Sequence, residues 1–346
     1  MRREYGIDLL KMAAMIMVVA HHVLQGGGVE SALTAKHGSG LGLIFEYGFH
    51  YFCYCAVDCF VLCTGFIMWS KEFRYGRIFR LWRQIVGYSL AILIVAYCIL
   101  PAGTITWREW GRTFLPVCFN AYWFFTEYFA LFLLMPFLNK FLLALDQSEA
   151  KLFALTGFVL LSCASLVAGK DLFVTKWGYS LIWFMYLYLI GALISKYEVA
   201  FKISPILAGL ALLVGCVVSS AGIFAGGELS AVIGGGARLA DLGYSYTSPS
   251  LLLEAMALLS LFARLKIKSV RLQSWIAFAA PSTFIVYVVH SNNLFRTLTH
   301  WGAVFLPLAD LGCGISVLVA IVIAVILFGS IVGIDMARRR IWKKLT

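Results

Sequence analysis

YGIDLLKMAAMIMVVAHHVLQGGG, residues 5–28, sets the reading of the whole chain. The run is apolar and long enough to cross most of a bilayer. It nevertheless holds Asp8 and Lys11 near one end and His21 and His22 near the other. Ionisable side chains in such a segment are costly and face a protein interior or a water-filled cavity rather than lipid. Lys11 and His22 are eleven residues apart, which on a helix returns to within about 20° of the same face and separates them by about 16 Å along the axis. One face therefore carries a cation and an imidazole at two depths, which reads as a site. His21 points about 100° away from His22 and reads as packing.

The rest of the chain fits that beginning. Of 346 residues, 62% are hydrophobic and only 13% charged, and the mean hydropathy is +0.89. Apolar runs of about 18 residues or more recur from end to end, the mark of a polytopic helical membrane protein. The expected fold is an all-α integral membrane bundle of about ten transmembrane helices, at 7–24, 48–69, 84–100, 121–139, 151–169, 177–195, 203–221, 249–263, 275–294 and 312–333. A single polytopic domain, 1–346, is expected, with no separate soluble domain. The first segment is too long, and its flanks too polar, for a cleaved signal peptide. With alternate ends assigned to the cytoplasm, 20 of the 28 Lys and Arg lie on cytoplasmic segments, 7 lie opposite, and Lys11 is inside a helix. That bias predicts cytoplasmic termini in a cytoplasmic (inner) membrane. It also explains the net charge of +11 without nucleic acid.

Further polar groups mark the spans. Asp58 lies within AVDCFVLCTGFIMW, residues 56–69, and needs a partner, for which Lys11 or a histidine is the expected candidate. Lys71, Arg74, Arg77, Arg80 and Arg83 follow at every third residue. On one helix they form a broad collar, suited to anionic lipid head groups or to the phosphates of a cytosolic ligand. Glu127, early in the fourth span, is expected at the depth of His22, where a carboxylate fixes an imidazole tautomer. The ninth span delivers His290, Ser291, Asn292 and Asn293 near the same level. Gly26–Gly28 read as a helix stop or a close backbone approach. The short HGSG loop after them and the long segment at 226–250, rich in Gly, Ser and Tyr, are expected to face outward. The cysteines Cys55, Cys59 and Cys63 form one stripe, but small-hydrophobe packing accounts for it and no metal is expected.

Taken together, these stretches resemble the membrane acyltransferase-3 family, which includes bacterial O-acetyltransferases that decorate surface polysaccharides. The family's Arg-x10-His signature is matched by Lys11 and His22 after Asp8-Leu9-Leu10. AVDCFVLCTGF, RIFRLWRQ, YWFFTEYFALFLLMPFLNK and TFIVYVVHSNNLFR match further segments in the family's order. Lys11 keeps the charge of the family arginine and gives up its bidentate fork. Cys63-Thr64 stands where a serine is usual, and Ser291 where an aspartate is frequent after the helix-nine histidine.

The resemblance implies transfer of an acyl group, usually acetyl from acetyl-CoA, to a hydroxyl of a carbohydrate or envelope glycan. In that scheme His22 is base or transient acyl carrier and Glu127 its companion. Lys11 and Arg74, Arg77, Arg80 and Arg83 bind the CoA donor, and Asp58, His290 and Asn292 face the acceptor. Partners are then acyl-CoA, a glycan and membrane lipids, and a homo-oligomer is compatible with the sequence. A transporter or flippase of a glycan or lipid intermediate is the alternative, against which the lack of an internal repeat counts. A haem protein with His22 and His290 as axial ligands is a third reading. Family members with an appended extracytoplasmic domain are known, and none is expected here.

Overall fold

In the computed structural model the described residues are 3–37, 41–233 and 245–345. Among them the chain is helical throughout, with no strand. The principal helices are α1 (Tyr5–Leu24), α2 (Val29–His37), α3 (Leu41–Met68), α4 (Gly76–Ile99), α5 (Trp107–Phe114) and α6 (Trp123–Ala144). They continue with α7 (Gln147–Phe158), α8 (Leu181–Lys196), α9 (Pro205–Ile233), α10 (Pro249–Ala263), α11 (Val270–Ala279) and α12 (Thr283–His290). The last are α13 (Asn293–Leu298), α14 (Trp301–Phe305) and α15 (Cys313–Leu345). A π-helical stretch, Val159–Ala164, carries α7 on to Ala168, and a 3₁₀ turn at Ala280–Ser282 joins α11 to α12.

Among the described residues, seven helices are long and apolar enough to cross a membrane: α1, α3 from Phe45, α4, α6, α7 with its extension, α11 with α12, and α15. The expected spans at 177–195, 203–221 and 249–263 fall on the shorter apolar segments Leu181–Lys196, Pro205–Ala221 and Pro249–Ala263. Three local expectations change. Residues 29–37, between the first two expected spans and assigned no element, form α2, because this polar stretch contains neither Gly nor Pro to interrupt a helix. The helix from Pro205 runs to Ile233 rather than ending at 221; residues 234–244 of the long outer segment and 38–40 of HGSG lie outside the described residues. The basic collar is not one helix. Lys71 and Arg74 sit in the break after α3, while Arg77, Arg80 and Arg83 ride the opening turns of α4.

The chain divides into two compact units. The first comprises residues 1–14, 44–73 and 130–267, and its centre is α8, where every residue from Tyr186 to Ile194 is buried. A helix apolar on all sides can only be enclosed. α3 and α8 meet at two glycines. A methyl group on Gly65 would stand 2.0 Å from the Tyr188 carbonyl oxygen, and one on Gly191 would stand 2.1 Å from that of Leu62. Such small-residue contacts let helix backbones touch where lipid offers no hydrophobic drive to association. Several polar groups in this unit bond to one another. The indole N–H of Trp183 donates to Asp58 at 3.1 Å; the partner is therefore not Lys11, which makes no hydrogen bond or ion pair among the described residues. Asp8, at the start of α1, pairs instead with Arg3 at 2.6 Å. Ser219 Oγ lies 2.8 Å from both Ser250 Oγ and a Glu254 carboxyl oxygen, tying α9 to α10.

The second unit comprises residues 15–43, 74–129 and 268–346. At one end, the buried carboxylate of Asp335 accepts from Tyr88 at 2.7 Å, from Ser282 at 2.6 Å and from Arg338 at 2.8 Å, and pairs with Arg339 at 3.1 Å. This clamp joins α4, the 3₁₀ turn and α15. At the other end, α1 stops at Leu24. Gly28 adopts φ +76°, which favours glycine, and a methyl on Gly27 would come within 2.7 Å of Phe305 Cβ. The glycine triplet therefore both ends the helix and admits α14.

Gly65→Ala and Gly191→Ala are each expected to cost about 1–3 kcal/mol of stability or more through overpacking, read as a lowered thermal midpoint of detergent-purified protein. Gly209→Ala, whose methyl meets nothing within 4 Å, should leave the midpoint unchanged or slightly raised. Equal midpoints for all three would contradict the close approach of α3 and α8.

Candidate active site

The ninth expected span ends in an abrupt change of direction that builds the site. α12 is closed by His290, and Ser291 leads to Asn292, whose side-chain oxygen accepts from the backbone N–H groups of Leu294 and Phe295 at 2.9 and 3.2 Å. This N-cap begins α13 at once. The Asn292 amide nitrogen donates to the Tyr122 hydroxyl at 2.8 Å, and Tyr122 also bonds Ser89 at 2.9 Å. Both ends of the Asn292 side chain are engaged, so it anchors the turn to α4 and to the start of α6.

His290 is fully buried. Its Nδ1 lies 2.6 Å from the Val286 carbonyl oxygen one turn back, and its Nε2 lies 2.9 Å from Nδ1 of His22. A carbonyl can only accept, so Nδ1 of His290 carries the proton. Neutral His290 then presents a lone pair at Nε2, and His22 must donate from Nδ1. The remaining nitrogen, Nε2 of the half-buried His22 ring, is left unprotonated. The Val286 oxygen thus sets the tautomer of both rings, in the way a backbone carbonyl behind a metal-bound or catalytic histidine does. Ser291 Oγ, 3.3 Å from His290 Nε2, adds a weaker contact to the same lone pair.

The backbone around both rings is held as well. Trp301 Nε1 donates to the His22 carbonyl oxygen at 3.0 Å, and Arg296 Nε donates to that of His290 at 2.9 Å. The Arg296 guanidinium packs over the Trp301 ring at 5.4 Å. Burial lowers its pKa from the ordinary value, yet an arginine remains a cation at neutral pH. Beside Tyr122 and Asn292 is a polar cavity of about 30 Å³, lined also by Ser89, Glu109, Arg112 and Asn293. It has room for a water molecule or a single hydroxyl. Thr106, through its hydroxyl, holds the Glu109 carboxyl below its usual range.

A sequence profile of the acyltransferase-3 family, described as an acyltransferase domain, matches residues 4–332. The chain belongs to the acyltransferase-3 family. No curated protein and no solved structure matches it. Membership, with the apolar helices above, makes it a multi-pass membrane acyltransferase.

Within this acyltransferase the residues singled out from sequence are distributed as follows. His22 and His290 share a hydrogen bond, and Asn292 fixes the turn beside them. Glu127 is half-buried on α6 in the same unit, and Arg74, Arg77, Arg80 and Arg83 also belong to it, at the opening of α4. Lys11 and Asp58 belong to the other unit; Lys11 shares the unbroken helix α1 with His22. Sequence reasoning did not single out Arg296, Trp301 or the Val286 carbonyl. Arg296 was counted only as an outer charge, although a lone cation six residues after a membrane histidine was a usable signal. The carbonyl carries no sequence signal at all.

Nitrogen-15 NMR of histidine-labelled protein is expected to find both His22 and His290 protonated at Nδ1 and bare at Nε2 at neutral pH. In His290→Ala, the His22 signal should shift toward a tautomer mixture. A His22 ring protonated at Nε2 in the wild type would contradict this assignment.

Proposed function

We propose that this acyltransferase moves an acetyl group from acetyl-CoA to a hydroxyl of a carbohydrate or cell-envelope glycan, with His22 as general base. The observation that carries the reading is the chain of contacts from the Val286 carbonyl through His290 to Nδ1 of the half-buried His22, which assigns the lone pair to His22 Nε2. In this scheme His22 Nε2 takes the proton of the acceptor hydroxyl as its oxygen bonds to the thioester carbonyl carbon. The imidazolium so formed keeps its Nδ1–H on His290. When the carbon–sulfur bond breaks, Nε2–H returns the proton to the departing thiolate. One ester forms, one thioester breaks, and the base ends as it began. A positioned base of this kind contributes about 10²–10⁴-fold in rate.

The remaining residues take parts consistent with their surroundings. Lys11, half-buried and without an ion pair among the described residues, is the proposed cation for the donor's carbonyl or phosphates. Arg77, Arg80 and Arg83, with Arg74 before them, suit the phosphates of CoA, since guanidinium forks match phosphate oxygens. The cavity beside Tyr122, Asn292, Glu109 and Arg112 suits an acceptor hydroxyl. Glu127 is proposed as a second acid–base group, and Asp58 as a support for the acceptor side. The charge bias of the loops supports an inner-membrane location with both termini cytoplasmic.

The test is turnover of labelled acetyl-CoA by purified protein with candidate glycan acceptors. His22→Ala is expected to lose about 10²–10⁴-fold in transfer while still binding CoA, and Lys11→Ala to weaken donor use. Protein incubated without acceptor should stay unlabelled if His22 is a base; stable labelling would make it an acyl carrier. Absence of CoA binding and transfer in the wild type would overturn the proposal and favour transport of a glycan intermediate.

A further inference from the structure

Away from the histidines, the first unit carries an apolar groove of about 850 Å³ between α7, α8, α9 and α10. That size lies within the about 300–1,000 Å³ of typical ligand sites. Its walls are carbon: Leu155, Ile190, Val214 and Met256 face it from four helices. Two of the polar groups on its walls are occupied within the protein. The Tyr186 hydroxyl donates to the Ala154 carbonyl at 2.9 Å, and Ser250 is bound into the Ser219 and Ser248 hydroxyls at 2.8 Å. A sugar or peptide would leave its own hydrogen-bonding groups unmatched here.

Charge is confined to one end. Lys151 and Lys202 are the charged residues lining the groove, both exposed, and neither makes a hydrogen bond or ion pair among the described residues. Neighbouring groups are differently employed. Asp146 and Glu149 close a capping box on α7, Lys196 binds the carbonyls of Leu142 and Leu145, and Arg264 binds those of Ala200 and Ile203. Two ammonium groups are therefore left over at the mouth of an apolar channel.

Length narrows the occupant further. The groove runs from Tyr197 to Tyr186, eleven positions along α8 and its cap, or about 16 Å. That is half of a hydrocarbon core about 30 Å thick, the depth of one leaflet. We propose that this groove holds one acyl chain of an anionic phospholipid, with its phosphate between Lys151 and Lys202. The site is independent of acyl transfer: the lipid is a structural ligand that fills the space among the four helices, and its carbon chain covers the walls that the side chains leave open.

The experiment is native mass spectrometry of the detergent-purified full chain, titrated with dioleoyl phosphatidylglycerol or dioleoyl phosphatidylcholine. Phosphatidylglycerol is expected to be retained at one tight site and phosphatidylcholine at least tenfold less. Lys151→Gln/Lys202→Gln should lose that preference. Val214→Trp, which fills the groove without touching the lysines, should lose the tight site itself, and Leu155→Trp on the facing helix serves if the first variant fails to fold. Millimolar inorganic phosphate should not compete. Equal retention of the two lipids, retention unchanged in the lysine pair or in the groove-filling variant, or displacement by phosphate alone or by palmitoyl-CoA at equal concentration, would each overturn the proposal.

Discussion

The fully buried imidazole of His290 donates from Nδ1 to the Val286 carbonyl oxygen 2.6 Å away. Everything chemical about the site follows from that bond. It leaves one lone pair on His290, toward which His22 Nδ1 donates. In enzymes of other folds a carboxylate plays this orienting part. Here a neutral ring does so, held at its own backbone by Arg296 and matched by Trp301 on the His22 side.

The same constraint places the other buried polar groups. A carboxyl group within hydrocarbon must meet a donor. Asp58 meets an indole, Glu254 a serine, and Asp335 a tyrosine, a serine and two arginines. The contacts of Asp58 with Trp183 and of Asp335 with Tyr88 link helices more than a hundred residues apart, so these polar residues also fix which helices lie together. The glycines do the complementary work: where α3 and α8 must touch, side chains are absent.

How much of this was legible in the sequence depends on the range of the signal. Periodic apolar runs bounded by charges located the apolar helices, seven of them long enough to cross a membrane among the described residues, and α10 falls at 249–263 as expected because Pro249 opens it and Arg264 follows it. The conjunction of His22 and His290 was approachable, since both lie near the ends of spans that run to the same side. What failed was pairing. Asp58 was matched with a charge because hydropathy treats tryptophan as apolar, and its single N–H donor is easily overlooked. Asn292 read as a ligand group because its capping role depends on where a helix restarts. The groove was invisible, since its four walls come from segments up to a hundred residues apart. α2 was missed because a short polar helix outside the bilayer has no hydropathy signal.

A pair of neutral imidazoles also has an electrical consequence. A fixed charge buried at this depth would be pushed or pulled by the transmembrane voltage, by about 2.3 kcal/mol for a full crossing per 100 mV. In the proposed scheme both rings are neutral at rest and only His22 gains a charge, while it holds the acceptor's proton, so the resting pair presents almost no gating charge. Transfer with His22 as base, as proposed, would start at the same pace in an energised cell and in a depolarised one, leaving supply of the two reactants to set the rate.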